Sequence, residues 1–546
     1  MEAVTESPQS EDTPDVSVIL AVYNTMPYLT ECLQSLIRQT IGHARMEIIA
    51  VNDGSTDESP AELERFAARY PSVVRVLHQT NSGGPAAPSN RALDFARGRY
   101  VFFIGSDDYL GLEALERLVA VGDEFDADLV AGRMVGIGGR FVPLAIFAET
   151  NTDVNLYESE LPFAMSNTKL FRRSLIETYR IRYPEDMPML SDQPFTVAAA
   201  VRAKRIVVLA DYDYYYAIKR RNKSNITYST THELRLTCAR RVMEENASIL
   251  EPGPRRDAVL RRSFTSELGK LTRPDFLKLD RPMQELLIEG IGKLADQYLT
   301  EAIRMRLDAP RRLRISLAQR GMVDETLAVI ERNIGAEPST FVRDETGLYL
   351  DYPFFRDDRE LPDAWFFVTD KPHEMMAHQL TVEVARWSRN GSGEKVLTVR
   401  ATSPFGPEEL TAARIGATVG RLKAHVRVTA GTDGGPTAVV FEWPVRDLIA
   451  ETPQFGGRLD VIVDTSDGDK SYRVALRLPG NVQRPKKLAR IGIRGFMIKP
   501  AKQPEREFAV DYKPATATEI RIYLVKYLRR RAKRALGRLI PAQVTR

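Results

Sequence analysis

The feature that most constrains this chain is a repeated unit, a short β-branched run that stops at a polar cluster and is followed by a helical stretch. Residues 16–22 read VSVILAV, a continuous apolar run of the kind buried on both faces of a sheet. The run ends at Tyr23-Asn24, and a helical pattern from Tyr28 to about Gln39 follows, with Leu29, Cys32, Leu33, Leu36 and Ile37 on one face. MEIIAVN then ends in Asp53-Gly-Ser-Thr-Asp57, before a helix predicted from Ser59 to Arg69. VVRVLHQ ends in the Gly/Pro-rich NSGGPAAPSN, a helix is expected over 89–97, and YVFFIG stops at Ser106-Asp-Asp108. Further strands are expected near 127–132 and 205–210. This alternation predicts a parallel α/β sheet with right-handed crossovers. In such a sheet the carboxyl ends of the strands face one crevice, so the polar clusters should meet there.

The remainder of the chain changes texture twice. At 546 residues it is long enough for about two to four domains. The α/β pattern occupies 15–230, and a helical, Arg- and Leu-rich region broken at EPGPRR and near Pro310 occupies 231–337. From 338 to 482 short alternating runs such as QLTVEVARW, KVLTVRA and AVVFEW lie between turn-formers such as NGSG and TDGG, the signature of an antiparallel β-sandwich. A Pro/Lys-rich linker over 483–516 leads to a basic amphipathic helix over 517–546, and residues 1–14 read as a disordered leader.

Composition narrows the setting. Two cysteines, Cys32 and Cys238, exclude a disulfide framework and favour a reducing, cytoplasmic environment. No run is long and apolar enough to span a bilayer. A net charge of +4 is too mild to point to nucleic acid, and none is expected as a partner.

Each cluster has a chemical and a structural reading. Tyr23 and Asn24 would stack on and hydrogen-bond a base, or simply form a turn. Asp53 would accept from a base N–H, whereas Asp57 and Ser59 suit an Asx turn and a helix cap. Asp107 and Asp108, adjacent at the mouth of a buried strand, repel one another unless a cation neutralises them, and hard oxygen ligands suit Mg²⁺ or Mn²⁺; the competing reading is a solvated turn. Asp192, in Ser191-Asp-Gln-Pro-Phe195, is either a helix cap or a general base. The tyrosines of Asp211-Tyr-Asp-Tyr-Tyr-Tyr216 read first as a β-core edge, and Lys219-Arg-Arg221 offers fixed cations for a departing diphosphate.

Taken in order, VSVILAVYN, VNDGSTDES, NSGGPAAPSNRALDFARGRYVFFIGSDDYL and LSDQPF resemble the family 2 glycosyltransferases with the GT-A fold. TNSGGP, the Ser-Asp-Asp-Tyr run and Tyr-Tyr-Tyr-Ala-x-Lys-Arg at 214–220 are similar to the wall teichoic acid β-N-acetylglucosaminyltransferases of Gram-positive bacteria, which also carry a helical linker and immunoglobulin-like modules that trimerise. The resemblance implies inverting transfer of GlcNAc or another hexose from a UDP-sugar to a polyol-phosphate or related surface glycan. It assigns Tyr23, Asn24 and Asp53 to the uracil, Asn81 and Arg91 to the border of the nucleotide and its diphosphate, and Asp107 to the ribose. It also assigns Asp108 to Mn²⁺ or Mg²⁺, Asp192 to the base, and Lys219 and Arg220 to the diphosphate. A homotrimer through the β modules is implied as well.

The chain departs from the family at Gly105, where an Asp is common, and at Ser191, where a Glu often precedes the base. A histidine found near the diphosphate in the teichoic acid enzymes has no clear counterpart, Lys223 and Ser224 lying near its place. Nucleotidyl transfer would require a Gly-rich, Arg-containing loop after the first strand, where AVYNTMPY stands instead. The other rival is a non-catalytic glycan-binding or assembly protein that retains a degenerate transferase domain.

In the last segment Ile520, Leu524, Leu528, Leu536 and Leu539 form an apolar stripe flanked by arginines, a pattern suited to the anionic inner face of the plasma membrane. The full chain should therefore float with anionic liposomes while a chain ending at residue 515 does not. Equal flotation of the two would remove this assignment.

Overall fold

The computed structural model describes residues 13–220, 230–334, 341–370, 376, 379–419, 422–431 and 436–451, and the strands at 457–467, 470–475, 488–490, 496–500 and 509–514. The leader up to residue 12, Lys223 and Ser224, and the basic segment 517–546 lie outside them. The chain divides into two compact units, Met1–Glu331 and Arg332–Arg546.

The first unit is built on a seven-stranded sheet. Strands β1 (Val16–Val22), β2 (Met46–Asp53), β3 (Val74–Gln79) and β4 (Tyr100–Gly105) lie parallel in the order β3-β2-β1-β4. Helices α1 (Tyr28–Ile37), α2 (Ser59–Arg69) and α3 (Ala86–Leu93) follow the first three strands. β1 is buried almost throughout and every residue of β2 is buried, as their uninterrupted apolar sequences require. Leu29, Cys32, Leu33 and Leu36 form the buried face of α1. The third helix starts earlier than its sequence pattern indicates. Pro88 falls in its first turn, where a missing N–H leaves no helical bond unmade, so the proline does not delay the helix.

Beyond β4 the sheet is not parallel, contrary to the expectation. Strand β8 (Leu170–Arg172) runs antiparallel to both β4 and β6 (Leu129–Gly132), while β6 and β9 (Ile206–Leu209) are parallel. Three residues between basic neighbours carry no legible period. Packing fixes the strand instead: the Phe171 ring meets Phe103 of β4 and Phe195 edge-on, with centroids 5.9 and 5.4 Å apart. A small second sheet joins β5 (Tyr109–Leu110), β10 (Tyr215–Ile218) and β7 (Met134–Ile137), bringing the chain after residue 214 back to the tip of β4.

Helix α4 (Ala114–Glu124) and helix α5 (Arg173–Thr178) flank the sheet, and α6 (Asp192–Arg202) precedes β9. The helical region begins with α7 (His232–Ser248) and α8 (Pro254–Arg262). A π-helical turn at Ser263–Leu268 follows, and later helices span Arg281–Tyr298, Glu301–Arg306, Ala309–Gln319 and Val323–Ile334. Thr231, Asp280, Thr300 and Asp308 each accept a backbone N–H at a helix start. The breaks fall at 249–253 and just before Pro310, where the sequence places them.

In the second unit, strands 381–389, 395–403, 437–444 and 425–429 form an antiparallel sheet. Leu397, Val399, Phe441 and Trp443 from that sheet share a core with Ala417, Val419 and Val463 of a second antiparallel sheet, giving a β-sandwich. Among the described residues no helix is long and apolar enough to cross a membrane.

Candidate functional site

Strand register gathers the polar clusters at one edge. Val22 pairs with Asn52, Ala21 with Gly105, and Asp53 with Gln79, so the ends of β1 to β4 are level. The loops are then stitched together. Asn24, held at φ 46°, accepts the amide of Thr56 at 2.7 Å through Oδ1, while its own amide donates to the Ser55 hydroxyl at 3.1 Å. Asp57 accepts the Met26 amide at 3.0 Å, and Thr25 bonds Ser106 at 2.9 Å. Tyr23 remains exposed on the rim.

Asp53 is buried and accepts from the Gln79 side chain at 2.7 Å and from the Ser82 hydroxyl at 2.9 Å. It thus holds the third loop against the second. Asn81 donates to the Asp53 carbonyl at 3.1 Å, and Arg91 of α3 donates to the carbonyl of His78 at 2.7 Å. The approach is close enough to require glycine: at Gly54, φ 72°, a Cβ would stand 2.7 Å from the Asn81 amide nitrogen. The Tyr23 carbonyl accepts the Thr25 hydroxyl at 3.1 Å, while its ring stays exposed.

The acidic pair sits at the tip of β4. Asp108 accepts the Tyr215 hydroxyl at 2.5 Å and the Ile218 amide at 2.7 Å, and the Tyr215 oxygen in turn accepts the Gly105 amide at 3.0 Å. Burial, reinforced by the neighbouring Asp107 charge, pushes the Asp108 carboxyl up to about 7. Asp107 accepts Arg220 Nε at 2.7 Å, and the same guanidinium reaches the Asn24 carbonyl at 3.4 Å. One arginine therefore ties the ends of β1, β4 and β10 together. Lys219 follows β10, its amide bonded to the Ile137 carbonyl at 3.2 Å.

Oxygens of Asp107 and Asp108 both lie within 3.2 Å of one point above Gly105, where a side chain would stand on any other residue. Two hard carboxylate donors in that cradle fit a divalent ion completed by water and phosphate oxygens. Among the described residues no third His, Cys, Asp or Glu joins them.

Asp192 opens α6, but no side-chain hydrogen bond caps that helix, so the capping alternative is not realised. Its carboxyl is pushed above the ordinary range by burial, with Arg262 and Lys169 pulling it down and Glu267 pushing it up. Sequence reasoning missed these partners. Lys169 is buried, donates to the Ala164 and Ser166 carbonyls at 2.5 and 2.6 Å, and is lowered to about 7 by that burial. Arg262, from the helical region, donates to Gln193 at 3.1 Å and to the Phe163 carbonyl at 2.7 Å. The only sequence signal for Lys169 is a charge immediately before an apolar strand; Arg262 has none. Tyr215 is buried in the core, as the β-core-edge reading expects, and its hydroxyl also reaches Asp108, a contact the sequence pattern does not show.

A cavity of about 300 Å³ connects the two halves of the site, lined by Gly105 at one side and Asp192 at the other, with Ser89, Asn167 and Met189 between them. A mixed sheet, parallel from β3 to β4, with this crevice, an acidic strand tip and a returning strand followed by Lys219 and Arg220 has the GT-A architecture of nucleotide-sugar transferases. The chain belongs to glycosyltransferase family 2: the family described as glycosyl transferase family 2 matches residues 17–180, and the glycosyl transferase TarS linker domain matches 237–330.

The chain is 43% identical over 205 residues to a poly(ribitol-phosphate) β-glucosyltransferase of Bacillus spizizenii, covering 38% of this chain and 32% of that protein. It is 40% identical over 204 residues to the poly(ribitol-phosphate) β-N-acetylglucosaminyltransferase TarS of Staphylococcus aureus, covering 37% and 35%. The matches thus span about a third of these curated relatives. A crystal structure of S. aureus TarS 1-349 in complex with UDP-GlcNAc is similar at 30% identity and TM-score 0.55, over 62% of this chain and 97% of that one. A longer TarS crystal structure shares the fold over 92% of this chain and 86% of that one, at 23% identity and TM-score 0.59.

Replacing Tyr215 by Phe strands the Gly105 amide and removes a donor from Asp108. Chemical denaturation should show a loss of about 1–3 kcal/mol, and an unchanged midpoint would contradict the bond's importance.

Proposed function

We propose that the protein is an inverting glycosyltransferase that moves a hexose, GlcNAc or glucose, from a UDP-sugar to a hydroxyl of a poly(ribitol-phosphate)-type polymer. The observation that carries this reading is a cavity lined both by Gly105, the strand-tip residue beside Asp107 and Asp108, and by Asp192. The donor and acceptor classes are supported by what the relatives are named for, and the UDP-sugar by the UDP-GlcNAc complex of the similar TarS structure.

In this reading Tyr23, Asn24 and Asp53 border the base, with Asn81 and Arg91 on the neighbouring loop. Asp192 removes the proton of the acceptor hydroxyl as that oxygen attacks the anomeric carbon and the bond from that carbon to the diphosphate oxygen breaks. Arg220 and Lys219 face the negative charge that develops on the leaving diphosphate. Asp108, with Asp107 beside it, would hold Mn²⁺ or Mg²⁺, which supplies further neutralisation of that charge when bound. One base with no nucleophile gives inversion. The raised position of the Asp192 carboxyl suits a base, since a stronger base takes a hydroxyl proton more readily. We include a homotrimer through the β modules and a peripheral membrane position through 517–546, both resting on the resemblance and the sequence alone.

Asp192→Asn should abolish transfer while UDP affinity, read by calorimetry, stays within about twofold. In the unsubstituted chain, transfer should fall as pH drops through a value above the ordinary carboxylate range, because only the ionised Asp192 accepts the proton. Full turnover by the Asn variant would refute the assignment. Chelation of divalent ions should stop transfer and added Mn²⁺ should restore it; undiminished transfer in excess chelator would remove the metal from the mechanism.

A further inference from the structure

A second cavity, of about 410 Å³, lies where the 179–186 segment, α6 and α7 meet. Four arginines line it, Arg180, Arg182, Arg202 and Arg241, against two carboxylates, Asp186 and Glu245. Both carboxylates are already engaged: Arg241 takes Asp186 at 3.1 Å and Glu245 at 2.9 Å. Arg182 reaches out to Asp94 at 3.2 Å. Among the described residues no carboxylate pairs with Arg180 or Arg202. Arg202 donates to the Ala198 carbonyl at 2.9 Å and lies 5.3 Å over the Tyr179 ring, leaving guanidinium donors directed at no anion. The cavity is therefore a concave wall with cationic charge in excess.

Arg180 adds a backbone argument. It is exposed and adopts φ 49°, a left-handed conformation that glycine or asparagine occupies at less cost. A long basic side chain stands at a position whose backbone does not call for it.

The cavity also adjoins the reaction site. Tyr183 lines both cavities, and Pro194, on the wall of this one, is two residues from Asp192. Tyr183 stacks on Phe195 of α6 with centroids 4.2 Å apart, which fixes the ring that the two cavities share. A ligand long enough to present a hydroxyl to Asp192 and carrying regularly spaced anions could place one of them here. Guanidinium forks bind phosphate oxygens through paired N–H bonds, and a phosphodiester keeps its charge throughout the neutral range.

We propose that this cavity is a second acceptor subsite, in which Arg180 and Arg202 bind a backbone phosphodiester of the polymer one or more units away from the hydroxyl being glycosylated. This rests on the reading of the acceptor as a polyol-phosphate chain and extends it with a place where chain length is sensed.

The test uses the full chain, UDP-GlcNAc and UDP-glucose as donors, and two acceptors: a poly(ribitol phosphate) chain and a single ribitol phosphate. Arg180→Glu changes an exposed side chain and leaves the fold intact, and Arg202→Gln keeps the bulk of the residue over Tyr179. With the polymer, each should raise the acceptor KM by about tenfold and flatten its dependence on salt, while the donor KM and transfer to single ribitol phosphate stay unchanged. Addition of inorganic phosphate distinguishes the sources of the anion: weak competition against the polymer, confined to high concentration, supports a site for the chain, whereas inhibition equal to that by the polymer would point to a free-phosphate site and overturn the proposal. Transfer to polymer with an unchanged acceptor KM in both variants would also overturn it, leaving the function in place. Failure of the unsubstituted chain to glycosylate any phosphate-linked polymer would overturn the functional reading and this subsite together.

Discussion

The structure of the site depends on a repulsion. Two adjacent carboxylates, Asp107 and Asp108, are held at the mouth of a buried strand, where low dielectric makes both their charge and their proximity costly. Each is compensated differently. Asp107 is matched by the Arg220 guanidinium, whereas Asp108 receives a tyrosine hydroxyl and a backbone amide and is still driven up to about 7. These compensations come from β10 and the residues just after it, more than a hundred positions later in the chain. The return of that strand beside β5 is therefore what makes an acidic strand tip affordable, and Arg220 extends the tie to the loop after β1. In the proposed reaction a divalent ion, held between these carboxylates and the donor's diphosphate, would relieve the same imbalance.

The base side of the cavity follows a related rule with different parts. Asp192 is surrounded by a buried lysine, an arginine and a glutamate, two of them supplied from the helical region. Arg262 immediately precedes a π-helical turn and Glu267 lies within it, a geometry that commonly marks functional positions, and both bond Gln193, the residue after Asp192. The helical region, which matches the glycosyl transferase TarS linker domain, therefore packs against the segment that carries Asp192.

How much of this was legible in the sequence can be stated residue by residue. Long apolar runs bounded by turn chemistry gave the positions of β1 and of α2, because burial on both faces and a 3.6-residue period leave strong local patterns. The gathering of Asn24, Asp53, Asp107 and Asp108 at one edge followed from strand direction alone. What was not legible depends on distant packing. The antiparallel β8 has three residues and is fixed by the Phe103, Phe171 and Phe195 rings, and α3 started at a proline-containing turn that reads as a loop. At the site, Asp53 and Asn24 proved to be loop ties as well as candidates for the base. Lys169 and Arg262 escaped notice because a single buried cation has no period and no motif.

The central claim is a single displacement governed by one carboxylate, and the stereochemistry of the product tests it most directly. Proton NMR of the anomeric centre, after transfer from an α-linked UDP-hexose to poly(ribitol phosphate), reads the configuration without reference to any residue. The account predicts a β-linked product formed from the first turnover. An α-linked product would require two displacements or an internal return, neither of which a lone Asp192 can provide, and would contradict it.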